Sequence, residues 1–195
     1  MTTNKARERA ARNSIRIIGG AWRGRRIAFP ERPDLRPTPD RVRETLFNWL
    51  QPHIVGARCL DLFAGSGALG LEALSRGARH VVFVERDAAA ADALRGHLEH
   101  LGAAARGEVH CRSAVQTLRD AAQPFDLIFL DPPFASAALG EILPLIAERG
   151  WLAPAGLVYL ENARAAGAPP LPPAWRLLKS KSAGEVGYHL ARGEA

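Results

Sequence analysis

Residues 59–70 read Cys-Leu-Asp-Leu-Phe-Ala-Gly-Ser-Gly-Ala-Leu-Gly, from Cys59 to Gly70. An apolar run gives way to a glycine-rich turn and then to a helical pattern. The glycines let the backbone approach a ligand closely. From Gly65 to Gly70 the string also fits G-x-G-x-x-G, a pattern that on its own serves dinucleotides equally well. Working outward, the residue pattern predicts strands over 58–63, 80–85, 108–111, 126–130 and 156–161. Helices are predicted over 67–76, 88–101, 114–121 and 137–149. Continuous apolar strands separated by helices imply a parallel sheet covered on both faces. The end of the chain differs. Trp175 to Ser180 and Val186 to Leu190 are joined through Ser182-Ala183-Gly184 with no helix between, which predicts an antiparallel hairpin. The expected fold is α/β, a doubly wound, mostly parallel seven-stranded sheet with an antiparallel C-terminal hairpin.

Upstream of this body lie three further segments. Residues 1–13 read as a disordered basic tail. Ile15 to Ile18 and Arg26 to Phe29, around Gly19-Gly20 and Gly24, read as a small N-terminal β-hairpin. Residues 30–37 form a Pro-rich link. Thr38 then reads as a helix N-cap with Pro39 at the first helical position, and Pro52 ends that helix. This divides the chain into a tail (1–13), a hairpin and linker (14–37) and an α/β domain (38–195).

The 195 residues carry 26 Lys and Arg against 20 Asp and Glu, a net charge of +6. Residues 1–43 alone hold a net +8, so the remainder is slightly acidic. A basic front on a near-neutral body suits a polyanionic partner. A solvated basic face is the plainer alternative for any one of these residues. No apolar run approaches the roughly 20 residues of a membrane span, and the N-terminus lacks the apolar core of a signal peptide. A cytoplasmic protein is expected. Cys59 and Cys111 read as buried, reduced thiols. His97 and His100 stand three apart without a second ligand pair, so no metal site is expected.

Three carboxylates carry the chemistry. Asp61 stands four residues before the first loop glycine. A pyrophosphate would be repelled there, whereas the ammonium group of S-adenosylmethionine would find an acceptor. A strand-end or capping role is the alternative. Glu85 ends the second strand, where a carboxylate can accept from both ribose hydroxyls of an adenosine. Ser113 and Ala114 follow the third strand, where adenine is expected to lie. Residues 125–130 form a buried strand, and Asp131-Pro132-Pro133-Phe134 leaves its C-terminal end. Two prolines fix φ and remove two N–H donors, which leaves the Asp131 carboxylate and the Pro132 carbonyl as a rigid acceptor pair. An exocyclic amine offers two N–H donors, and binding both aims its lone pair away from them. Phe134 is placed to stack on the base, worth roughly 1–3 kcal/mol.

Together these strings resemble the class I S-adenosylmethionine-dependent amino-methyltransferases. The stretch from Ile15 to Gly24, the run from Arg36 to Asn48 (R-P-T-P-D-R-V-R-E-T-L-F-N), the glycine loop and D-P-P-F resemble the bacterial RsmD family more closely, over roughly residues 14–190. The resemblance implies a Rossmann-like fold and transfer of a methyl group to the exocyclic N2 of a guanine in 16S rRNA (guanine 966), within the small ribosomal subunit or its precursor. It implies Asp131, Pro132 and Phe134 as catalytic residues. Asp61, Phe63, Gly65, Gly67, Glu85, Ser113 and Ala114 are implied to bind the cofactor. Arg23, Arg25, Arg26, Arg36, Arg41 and Arg43 are assigned to RNA, since Arg supplies planar donor forks for phosphates. A monomer is expected. Ser113 stands where many class I enzymes carry an acid, so the adenine contact departs from the common pattern. DNA adenine-N6 methylation, glutamine-N5 methylation of a protein, and a non-catalytic ribosome-assembly factor remain as alternatives.

Overall fold

The computed structural model describes residues 14–29, 38–133 and 138–194. The N-terminal tail, the whole Pro-rich link with Arg36, and Phe134 lie outside the described residues. Strands β1 (Ser14–Arg16) and β2 (Arg26–Ala28) pair antiparallel as the expected hairpin, with Ile15 opposite Ile27. Helix α1 spans Asp40–Leu50. The body follows as β3 (Arg58–Asp61), α2 (Ala68–Ser75), β4 (His80–Glu85), α3 (Ala88–His100), β5 (Gly107–Cys111), α4 (Ala114–Leu118), β6 (Phe125–Leu130), α5 (Ala138–Arg149), β7 (Leu152–Ala163), β8 (Trp175–Ala183) and β9 (Val186–Gly193). The seven-stranded sheet has the order β5-β4-β3-β6-β7-β9-β8, with β3 to β7 parallel and β9 antiparallel to both neighbours. The strand order reverses between β3 and β6, the crevice where open α/β sheets take ligands.

Side-chain alternation along the central strands sorts the core into two layers. Cys59, Val81, Phe83, Leu127, Phe129, Leu157 and Tyr159 face one layer with residues of the hairpin, α1, α2 and α3. Leu60, Val82, Val84, Ile128, Leu130, Val158 and Leu160 face the other with residues of α4 and α5. This period of two, buried on both sides, is what a covered parallel sheet requires.

Three local expectations are corrected. Thr38 does not cap α1: Pro39 occupies the N-cap position with no side-chain cap bond, and the Thr38 hydroxyl is turned to two carboxylates described below. Cys59 is buried but Cys111 is exposed. β7 is longer than its apolar run, because Ala155 takes a positive φ of 58° and the register with β6 shifts between Phe125 and Leu127. The hairpin also contributes to the core: Ile15, Ile17, Trp22 and Ile27 are buried in the same layer as α1 and α2. No helix among the described residues is long and apolar enough to cross a membrane.

Candidate active site

Each of four parallel strands carries an acid at its C-terminal end. Asp61 ends β3, Glu85 ends β4, Asp131 follows β6, and Glu161 stands beyond the Leu130–Leu160 pairing on β7. By the alternation above, all four fall in step with Cys59, Phe83, Phe129 and Tyr159, on the face shared with α1 and α2. At about 4.8 Å between strands, the row Glu85–Asp61–Asp131–Glu161 spans roughly 14 Å across the switch point.

Asp61 is 1% exposed. Its Oδ2 accepts from the Gly70 amide at 3.1 Å, while Oδ1 is buried without a partner among the described residues. Burial pushes its carboxyl up to about 7, with Asp131 and Glu85 adding to the rise and the Gly70 and Phe63 amides opposing it. A buried acceptor left unmatched is unfavourable unless a donor meets it. A cationic ammonium is such a donor, so this residue fits the amino-acid end of S-adenosylmethionine. Glu85 is engaged on both oxygens, Oε2 by the Gly65 amide at 2.9 Å and Oε1 by the Asp87 amide at 2.8 Å. A carboxylate oxygen can accept two hydrogen bonds, so these two amides do not by themselves bar Glu85 from a hydroxyl. The Gly65 amide is thereby committed to a carboxylate, which removes a donor that a pyrophosphate would need.

The loop itself is tightly built. Gly67 takes a left-handed φ of 80°, and a Cβ there would come within 2.5 Å of Leu94. Phe63 is half-buried beside it. Ser113 is a true N-cap: its Oγ accepts from the Gln116 amide at 3.2 Å, and its own amide donates to Gln116 Oε1 at 3.0 Å. The capping box occupies the polar groups of Ser113, which leaves the buried Ala114 beside it as an apolar wall. That local chemistry accounts for a serine at a position where an acid is common.

Asp131 Oδ2 accepts from the Thr38 hydroxyl at 3.1 Å. The same hydroxyl lies 3.0 Å from Glu161 Oε1, which also accepts from the Tyr159 hydroxyl at 2.7 Å. Burial raises both carboxyls, and the Asp131 charge raises Glu161 further. Tyr159 and Glu161 are not singled out by the sequence, and Thr38 is read there only as a helix cap. The signal for Glu161 was present: an apolar run ending in an acid, as at Asp61, Glu85 and Asp131. Thr38 carries no such mark, because its partner Asp131 is 93 residues away.

Arg23, Arg25, Arg26 and Arg41 are exposed. Arg43 is not, and its assignment to RNA is corrected. It is 1% exposed, with Nε donating to the Thr38 carbonyl at 3.2 Å and Nη2 to the Arg16 carbonyl at 3.0 Å and to Asp40 at 2.6 Å. A guanidinium so committed cannot reach a phosphate without breaking the joint between hairpin and helix.

A seven-stranded, mostly parallel sheet with a glycine crevice lined by strand-end acids at its switch point is the architecture of a class I S-adenosylmethionine-dependent methyltransferase. Residues 15–192 match the family model described as Conserved hypothetical protein 95. The chain is 49% identical over 181 residues to ribosomal RNA small subunit methyltransferase D of Escherichia coli K12, covering 93% of this chain and 91% of the relative. It is 45% identical over 185 residues to the Haemophilus influenzae protein of that name, covering 92% and 94%. A solved structure from Escherichia coli assigned as a methyltransferase superposes with a TM-score of 0.87 at 46% identity, over 93% of this chain and 98% of that one. The chain belongs to the RsmD family of methyltransferases.

Proposed function

We propose that this protein methylates the exocyclic N2 of a guanine in the rRNA of the small ribosomal subunit, guanine 966 in the family's numbering, as a cytoplasmic monomer acting on the subunit or its precursor. S-adenosylmethionine supplies an electrophilic sulfonium methyl. Asp61 takes the ammonium, Glu85 the ribose hydroxyls, and Phe63, Gly65, Gly67, Ser113 and Ala114 surround the rest. Asp131 and the Pro132 carbonyl accept the two N–H groups of the amine, so that its lone pair is aimed at the methyl. The nitrogen sheds one proton on becoming methylated, and the Asp131 carboxylate accepts it. Phe134 stacks on a base that has left its own stack. Arg23, Arg25, Arg26, Arg36 and Arg41 hold phosphates.

The carrying observation is that Asp131 and the unmatched Oδ1 of Asp61 share one face and one edge of the sheet, on adjacent strands. The relatives' names support rRNA as substrate. Single-turnover methyl transfer to small-subunit particles lacking the modification tests the reading, with nucleoside analysis of the product. Wild type should yield N2-methylguanosine in RNA and no label in deproteinised DNA. Asp131→Ala should slow transfer at least about a hundredfold while calorimetry finds cofactor affinity nearly unchanged. Wild-type rate in Asp131→Ala, or label in adenine of DNA, would sink the proposal.

A further inference from the structure

Behind Asp131 lies a polar chain that the reading above does not use. Thr38 is buried, Glu161 is 2% exposed, and Tyr159 is fully buried. One hydroxyl lies within hydrogen-bond distance of two carboxylates, Asp131 and Glu161. A threonine hydroxyl owns one proton and can donate to only one of them at a time. Among the described residues neither carboxylate has a cationic partner. The groups facing Glu161 are Asp131 from β6, Tyr159 from its own strand and Thr38 from the start of α1. Tyr188 sits opposite Glu161 on β9, and Asp61 lies further along the row of acids. The nearest guanidinium in the chain of contacts, Arg43, is bonded to the Thr38 carbonyl and not to either acid. His189 is paired with Leu160, on the other face, and bonds Ser180 and Asn162.

Two ionised carboxylates sharing one hydroxyl in a largely buried site repel each other and leave one of them short of a donor. A single retained proton resolves both problems. We infer that Thr38 and Glu161 are positioning residues that act on Asp131 through one shared proton: Glu161 holds it and donates to Thr38 Oγ1, Thr38 donates to Asp131 Oδ2, and Asp131 is thereby kept ionised with Oδ1 turned to the amine. Tyr159 completes the chain by donating to Glu161 Oε1. Every donor then meets one acceptor. Burial and the neighbouring Asp131 charge both favour the protonated form of Glu161, the deeper of the two acids. If Glu161 ionises, Thr38 is drawn to two competing anions and Asp131 loses its fixed orientation. The inference rests on Asp131 being the amine acceptor proposed above.

The test is the pH dependence of single-turnover methylation with saturating cofactor and particle, in wild type, Thr38→Val, Thr38→Ser and Glu161→Gln. The wild-type rate should rise as Asp131 ionises and fall again at higher pH as Glu161 ionises. The two apparent values belong to the pair as a whole. Thr38→Val, which keeps volume but loses the hydroxyl, should slow transfer by about tenfold or more with cofactor affinity unchanged. Thr38→Ser should recover most of that loss. Glu161→Gln cannot ionise, so its profile should keep the rise and lose the fall. A merely structural Glu161 would leave the profile's shape unmoved. The inference is overturned by a wild-type rate in Thr38→Val, by no recovery in Thr38→Ser, or by an alkaline fall that is absent in wild type or persists in Glu161→Gln. An Asp131→Ala variant run alongside separates the two levels. If it too methylates normally, the reading of the site fails, whereas if it alone collapses, only the shared-proton inference does.

Discussion

At the scale of single residues, burial holds the carboxyls of Asp61, Asp131 and Glu161 above the ordinary carboxylate range. At Asp61 the carboxyl is pushed up to about 7 by burial. A cation bound against Oδ1 would favour the ionised form and pull that value down. Cofactor binding should therefore expel a proton wherever the free site is protonated. The sign follows directly: affinity is weakest well below pH 7, rises as Asp61 ionises, and levels off above. Calorimetry at pH 6 in two buffers of different ionisation enthalpy should count nearly one proton released, and Asp61→Asn should release none. No proton release by wild type would mean that Asp61 does not take the ammonium. Thr38 and Arg43 teach the complementary lesson. Both read from sequence as local or surface features, a helix cap and a phosphate ligand. Both were claimed by partners distant in sequence, Asp131 and Glu161 for the one and the Arg16 carbonyl for the other.

At the scale of elements, what could be read in advance was what period and local order encode. The parallel strands showed as apolar runs, the loop as glycines, and three of the four strand-end acids as breaks from apolar to charged. The fourth, Glu161, carried the same break but no adjoining motif. What could not be read was docking. The hairpin is fastened to α2 by Glu72, which is fully buried and accepts from the Ile18 and Gly19 amides at 2.8 Å each and from Arg76 Nε at 2.6 Å. Arg43 Nη1 lies 3.8 Å from the same carboxylate. Ser75 adds a second joint, accepting from the Trp22 amide at 3.0 Å and donating to the Gly19 carbonyl at 2.6 Å. Gly20 is needed there, since at φ 77° a Cβ would overlap the Ser75 carbonyl. In sequence, Glu72 is only an acid in an apolar helix, more than fifty residues from Ile18 and Gly19. Glu72→Ala would strand two part-buried amides and leave two guanidinium groups facing an uncharged gap. Losing one member of such a buried network costs about 3–5 kcal/mol. Urea unfolding should show that loss, and a midpoint within error of wild type would show that the hairpin is not anchored through Glu72.

At the scale of the molecule, the excess charge and the site are mechanically joined. The Arg16 carbonyl on β1 accepts from Arg43, Arg43 donates to the Thr38 carbonyl, and the Thr38 hydroxyl reaches Asp131. The described part of the basic front, the hairpin and the start of α1, is thus fastened to Asp131 through Thr38, and residues 1–43 carry a net +8. Such an arrangement suits a polyanion whose phosphates bind the front while one base enters the acidic crevice. Removing residues 1–30 would not test this cleanly, because it would strip Ile15, Ile17, Trp22 and Ile27 from the core. Replacing the exposed Arg23, Arg25 and Arg26 together with Gln removes charge and leaves those apolar contacts in place. Affinity for the rRNA particle should fall, and the log–log slope of affinity against salt should shrink by roughly 2 to 3, since each lost phosphate contact removes about 0.7–0.9. The methylation rate at saturating particle should stay close to wild type, because none of the three touches the acids. Filter binding from low to moderate salt, paired with single-turnover rates, measures both quantities. Identical slopes would place the electrostatic footprint elsewhere on the surface. A shallower slope with a collapsed saturated rate would show that the hairpin arginines also orient the base, and that phosphate binding and base placement cannot be separated in this protein.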